Sequence, residues 1–213
     1  MAVYQVVDII KDVRIALDQN ALSDELAGIG DVDTLSLDEI IRSKIVEAVK
    51  RVHSSASLYH LNQGHNFGDT LYWKGTEPCG WVLLPDDFMR LIVFQMDDWE
   101  RAVYRAIDMD SQEFAMQSSR FGGVRGTPQR PKCVLTIRPE GRAIEFYSCK
   151  NQSAKVSRGV YIPQPKIDNM GGIEISNRCY EAVIYTICAL VVTAFGDTSK
   201  SDVFNSMAKT LIE

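Results

Sequence analysis

One stretch limits what this chain can become: Tyr180–Phe195, YEAVIYTICALVVTAF. From Ala182 to Phe195 no residue is charged, and only Tyr185, Thr186 and Thr193 carry a side-chain oxygen. A helix that is apolar on every side must be covered on every side. A membrane span needs roughly 20 such residues, and this run is shorter, with Glu181 at one end and Asp197 and Lys200 just past the other. The stretch therefore predicts a central core helix. Ser176 is placed to cap its start by accepting free N–H groups of the first turn. Gly196 is placed to end it in the left-handed conformation that a Cβ resists.

The flanking segments divide by period. Val6, Ile10, Val13 and Leu17 fall at helical spacing, which predicts an amphipathic helix over 4–19. Asn20–Thr34 reads as a polar loop. Ser36-x-x-Glu39 is a capping box opening a second helix, with Leu37, Ile41, Ile45, Ala48 and Val52 on one face. Tyr59–Gly80 has no helical period, and Trp81–Leu84 is short, apolar and extended in character. Pro85 with Asp86 and Asp87 has the composition of a helix start, because Pro lacks the N–H that goes unpaired there and acids suit the positive end of the dipole. The expected helix is Pro85–Phe94, followed by a strand over Trp99–Ile107 and a helix cap at Asp110-x-x-Glu113. Phe121–Pro131 is a Gly/Pro-rich loop. Cys133–Arg138 and Ala143–Ser148 flank Pro139-Glu140-Gly141 as a hairpin, with Val156–Ile162 as a third strand. A last helix over Ser199–Ile212 offers Val203, Met207 and Leu211 for packing.

The predicted class is α+β: a helical bundle around the buried C-terminal helix, with a small antiparallel β insertion. The bundle takes residues 1–118 and 173–213, and the β-rich insertion with its basic loop takes 119–172. A length of 213 residues, 46% hydrophobic and 24% charged, suits an ordinary globular protein.

Charge is unevenly spread. Nine basic residues between Arg120 and Arg158 face two acidic ones, Glu140 and Glu145, giving +7 in a chain whose total is −5. Phe121, Phe146, Tyr147 and Tyr161 are interleaved with them. Arginines and aromatics of this kind anchor protein contacts, and a basic, aromatic surface also suits nucleic acid. A solvated sheet face is the plain alternative. The candidate interface residues are Arg120, Phe121, Arg125, Arg130, Arg138, Arg142, Lys155 and Arg158.

Signals for catalysis are lacking. His53, His60 and His65 with Cys79 match neither a zinc-finger spacing nor H-E-x-x-H. There is no G-x-S-x-G and no phosphate-loop motif, and Gly122-Gly123-Val124-Arg125-Gly126 runs into Thr127-Pro128 rather than a helix. Asp86, Asp87, Asp97 and Asp98 read as structural acids rather than metal ligands. The expectation is a non-enzyme without metal or cofactor. Cys79, Cys133, Cys149, Cys179 and Cys188 are odd in number and contain no CxxC, which predicts free thiols in a reducing cytoplasm, although Cys133 and Cys149 could face each other across the hairpin.

At Gly80-Trp81-Val82-Leu83-Leu84-Pro85-Asp86-Asp87-Phe88-Met89-Arg90-Leu91 the chain resembles the head-to-tail adaptors of short-tailed bacteriophages, the tail tubular protein A-like ring proteins below the portal. These show an early helix pair, an L-P-x-D-F-x-R-L segment starting a helix, a β-rich insertion, and an apolar helix ending near a G-D turn. Ile175–Phe195, Gly196-Asp197 and Val203–Leu211 correspond to the last parts. Thr34–Ile41 and Ile144–Lys150 are similar to members from gut Bacteroidales phages, crAss-like ones included. The resemblance implies a dodecameric ring of identical subunits with no catalysis. It would join portal to tail or further ring proteins at the head–tail junction of the virion, having been made in the host cytoplasm. Genomic DNA would touch it only in passing and without sequence preference, and no membrane would be involved.

Overall fold

The structure is a computed structural model, and it describes residues 2–17, 36–61, 64–117, 119, 121 and 124–213. The expected loop at Asn20–Thr34 lies outside the described residues, as do Arg120, Gly122 and Gly123. The chain divides into two compact units, residues 1–63 with 164–213, and residues 64–163.

The first unit is built around helix α4, Tyr180–Ala194. Ala182, Val183, Ile187, Cys188, Ala189 and Val191 are all at most 1% exposed, which is the burial that an apolar circumference demands. Helix α1, Val6–Ala16, and helix α2, Leu37–Ser55, both pack on it. The α2 capping box is present: the Ser36 hydroxyl accepts from the Glu39 N–H at 3.3 Å, and the Glu39 carboxylate accepts from the Ser36 N–H at 2.8 Å. Ile41, Ile45, Ala48 and Val52 are buried on the face the spacing predicts. Gly196 ends α4 at φ +86°, as expected.

Three expectations in this unit are corrected. Ala2–Gln5 is a strand, β1, paired antiparallel with β9, Gly172–Ile175, so the first helix begins at Val6. Ser176 does not cap α4: a short 3₁₀ turn, Asn177–Cys179, intervenes, and the Ser176 hydroxyl donates instead to the His60 carbonyl. The packing face of the last helix α5, Thr198–Thr210, is rotated from the predicted one. Val203 is 59% and Met207 41% exposed, whereas Ser201, Ala208 and the following Ile212 are buried. The Ser201 hydroxyl donates to the Ala189 carbonyl at 3.1 Å, and Phe204 stacks on Tyr185 at 6.2 Å. Small and hydrogen-bonding side chains let the two helices approach closely, which outweighs the area that Val203 and Met207 would bury.

The second unit corrects the fold class. It remains α+β, but its sheets are no small insertion. One sheet has the order β2-β8-β5, with β2 at His65–Asn66, β5 at Phe88–Met96 and β8 at Val156–Pro163. The other has the order β3-β4-β7-β6, with β3 at Leu71–Trp73, β4 at Gly80–Leu83, β6 at Cys133–Arg138 and β7 at Gly141–Phe146. The β-rich unit thus begins at 64 and ends at 163, rather than spanning 119–172.

The expected helix at Pro85–Phe94 is the nine-residue strand β5. FMRLIVFQM satisfies a helical stripe on paper, but Ile92, Val93 and Phe94 are β-formers and the eight-residue β8 is a partner along its whole length. Asp87 caps no helix, and its Oδ1 accepts from the Tyr161 hydroxyl at 2.8 Å. The third strand, β8, exists but pairs with β5 and β2, not with the hairpin. Trp99–Ile107 is not a strand and makes only single bridges, Phe94 with Val103 and Ile107 with Val134. Helix α3, Gln112–Gln117, has its N–H groups met by the Ser111 hydroxyl, which accepts from Phe114, rather than by Asp110. An aromatic core of Phe67, Phe88, Phe94, Trp99, Phe146 and Tyr161 lies within this unit.

Candidate functional site: a charged cavity and basic surface in the β unit

Side chains alternate across a strand, so the β3-β4-β7-β6 sheet has two distinct faces. Val82, Ile144, Phe146 and Cys133 enter the aromatic core. The register pairs Tyr72 with Trp81, Trp81 with Glu145, and Glu145 with Val134, which places these four in one row on the opposite face. A buried acid in that row needs a partner. Arg138 supplies it, with Nη2 2.6 Å from Glu145 Oε2 and the guanidinium 4.7 Å from the Trp81 ring centre. Burial first, then the charge of Glu145, raises the Tyr147 phenol above its usual range.

On this face lies a cavity of about 530 Å³. Thr136, Arg138, Glu145 and Tyr147 line it from the sheet, Phe114 and Ala115 from α3, and Lys74, Glu77 and Cys79 from the β3–β4 connection. Arg125 lines it from the loop ahead of β6. That loop is pinned. Gln117, 1% exposed, accepts from the Gly126 N–H at 3.0 Å through Oε1 and donates to the Glu113 carbonyl at 2.9 Å through Nε2. A Cβ on Gly126 would lie 2.4 Å from the Ser148 hydroxyl, so a side chain there would force Ser148 to move. Lys132 Nζ, 2.8 Å from Glu113, ties the same helix to the start of β6. At the cavity wall the Cys79 thiol donates to Glu77 at 3.2 Å. Burial first, and then Glu77, pushes this thiol up to about 11 against the opposing charges of Lys74 and Arg125.

The candidate interface residues are distributed more widely than this cavity. Arg125 and Arg138 line it. Phe121 is 76% exposed. Arg130 closes a tight turn with Thr127, its N–H donating to the Thr127 carbonyl at 2.9 Å. Arg142 is exposed on β7 and donates to the Asp86 carbonyl at 2.9 Å. Lys155 is held by its N–H to Asp97 at 3.0 Å, and Arg158 is exposed on β8 opposite Gln95. Arg125, Arg130, Arg142, Lys150, Lys155 and Arg158 form no ion pair among the described residues, in contrast to Lys132 and Arg138.

Sequence reasoning did not assemble Lys74, Glu77, Cys79, Phe114 and Tyr147 into a site, because they come from three separate segments. The one available signal was Glu145, a charged residue between the apolar Ile144 and Phe146 of β7.

His53 is 1% exposed, His60 sits in a turn after α2, and His65 packs edge-on against Tyr161 in the other unit. Among the described residues no three His, Cys, Asp or Glu side chains gather as a metal site. All five cysteines are free and buried. No helix of the described residues is long and apolar enough to cross a membrane. Compared with known protein families and with curated proteins, the chain matches none.

Proposed function

We propose that the protein is a structural subunit of a phage head-to-tail connector, a ring that joins portal to tail at the head–tail junction and lines the DNA exit channel without catalysing a reaction. The observation that carries this reading is the division of charge. Residues 1–63 and 164–213 hold sixteen acidic and ten basic residues, net −6, while residues 64–163 hold twelve and thirteen, net +1. Nine of the cations in the second unit, Lys74, Arg101 and Arg105 with the six named above, have no ion-pair partner among the described residues. A subunit that closes a ring meets its two neighbours through different patches, and opposite charge on those patches gives both attraction and register. Exposed Phe121 and Val124 beside Arg125 and Arg130 supply the apolar anchors such contacts use. The early helix pair, the β-rich middle, the apolar helix and the Gly196-Asp197 turn also follow the order of the adaptors that the sequence resembles. The Leu84–Leu91 segment lends no support, since it leads into a strand rather than a helix.

Light scattering on the purified protein, alone and mixed with portal, tests the reading. The expected result is a defined multiple of subunits added to the portal. A stable monomer indifferent to portal overturns it. The same unpaired cations favour nucleic-acid binding as a second reading, whose signature would be a DNA affinity that falls steeply with salt.

A further inference from the structure

The cavity of the β unit has a charge balance that specifies a ligand class. Its two carboxylates are already engaged, Glu145 by Arg138 at 2.6 Å and Glu77 by the Cys79 thiol at 3.2 Å. Lys74 and Arg125 line the same cavity, and their side chains form no hydrogen bond or ion pair with another described residue. Three cations against two carboxylates leave one positive charge, which matches a monoanion and disfavours the double charge of a phosphate ester. Phe114 and Ala115 add an apolar wall. A volume of about 530 Å³ lies within the range of small-molecule sites, about 300–1,000 Å³. The backbone at Arg125 is held by the buried Gly126–Gln117 hydrogen bond, so ordering on binding is confined to the Arg125 and Lys74 side chains.

We propose that this cavity binds a carboxylate carried on an apolar body, the carboxylate received by Lys74 and Arg125 and the body lying against Phe114 and Ala115. Two sources supply that chemistry, a free organic acid and an acidic side chain of another polypeptide. Arginine and lysine each form charge-assisted hydrogen bonds to a carboxylate, and an arginine does so through a planar fork.

The experiment is an NMR titration of the full chain with two acids and their neutral counterparts. Benzoate is compared with benzamide, and acetyl-Leu-Glu-Leu-amide with its Gln analogue. At least one acid should saturate, shifting resonances of residues around the cavity, while its neutral counterpart does not. Saturation by benzoate alone identifies a free acid, and by the peptide alone an acidic side chain. Combining Lys74→Met with Arg125→Met should weaken binding about tenfold or more. Glu77→Gln should strengthen it, and Lys50→Met, on exposed α2 surface, should leave it unchanged. Failure of both acids to saturate, or equal binding by the Lys74→Met/Arg125→Met protein, overturns the proposal.

Discussion

His53 Nε2 accepts a hydrogen bond from the backbone N–H of Ser176 at 3.3 Å, across 123 positions of sequence. It joins the end of α2 to the approach to α4, and both residues are at most 1% exposed. An imidazole buried there resists a proton. Burial first, then the positive chain terminus, lowers His53 from 6.5 to about 4. In the unfolded chain it titrates at its ordinary value. Stability is therefore complete above about pH 6.5 and falls as pH drops towards 4, where the unfolded state binds the additional proton. The full loss is about 3 kcal/mol. Urea unfolding at pH 7.5 and pH 4.5 should show most of it, and His53→Gln, which keeps an acceptor that does not titrate, should remove that part of the pH dependence.

The Arg138–Glu145 pair predicts an asymmetry between breaking and replacing it. Arg138→Ala leaves a buried carboxylate without its partner and should cost about 3 kcal/mol or more in urea unfolding at neutral pH. Replacing both, Arg138→Met with Glu145→Leu, should recover most of that loss. Equal destabilisation by the single and double variants would show that the stacking of Arg138 on Trp81 matters more than the ion pair.

Thiol chemistry should follow burial. Burial pushes Cys133 up to about 12 and Cys188 up to about 12 as well. A thiol that stays protonated and covered is a poor nucleophile. The native protein should react with an aromatic disulfide reagent much more slowly than the unfolded chain, which should release all five equivalents promptly.

The exposed loop predicts an effect on assembly without an effect on folding. Phe121→Asp combined with Arg130→Glu changes two exposed side chains. By light scattering the variant alone should fall towards the mass of the monomer and should add fewer subunits to the portal, while the thermal midpoint stays within a few degrees. A salt-dependent loss of assembly in the unaltered protein should accompany it, since exposed charges are screened beyond about 8–10 Å at ordinary ionic strength. Unchanged assembly in the variant would remove this loop from the interface.

Local sequence determined the elements whose cause is local. The α4 helix was legible because no arrangement leaves fourteen uncharged, mainly apolar residues facing water, and Gly196 ends it for the same steric reason in any context. The Ser36–Glu39 box closes within four residues, and the β6–β7 hairpin closes through its own turn. What the tertiary structure decided was every choice between two locally acceptable states. Phe88–Met96 carries a pattern fit for helix or strand, and β8, more than 60 residues later, settled it by offering a ladder of backbone partners. The face of α5 was settled by the Ala189 carbonyl, which Ser201 reaches and Val203 cannot use. The cavity depends on the same physics: Lys74, Phe114, Arg125 and Glu145 have no local relation, and only the register of β4, β7 and β6 and the hydrogen bond from Gly126 to Gln117 bring them together. Sequence fixes interactions that span a turn, whereas distant partners exist only once the loops between them have closed.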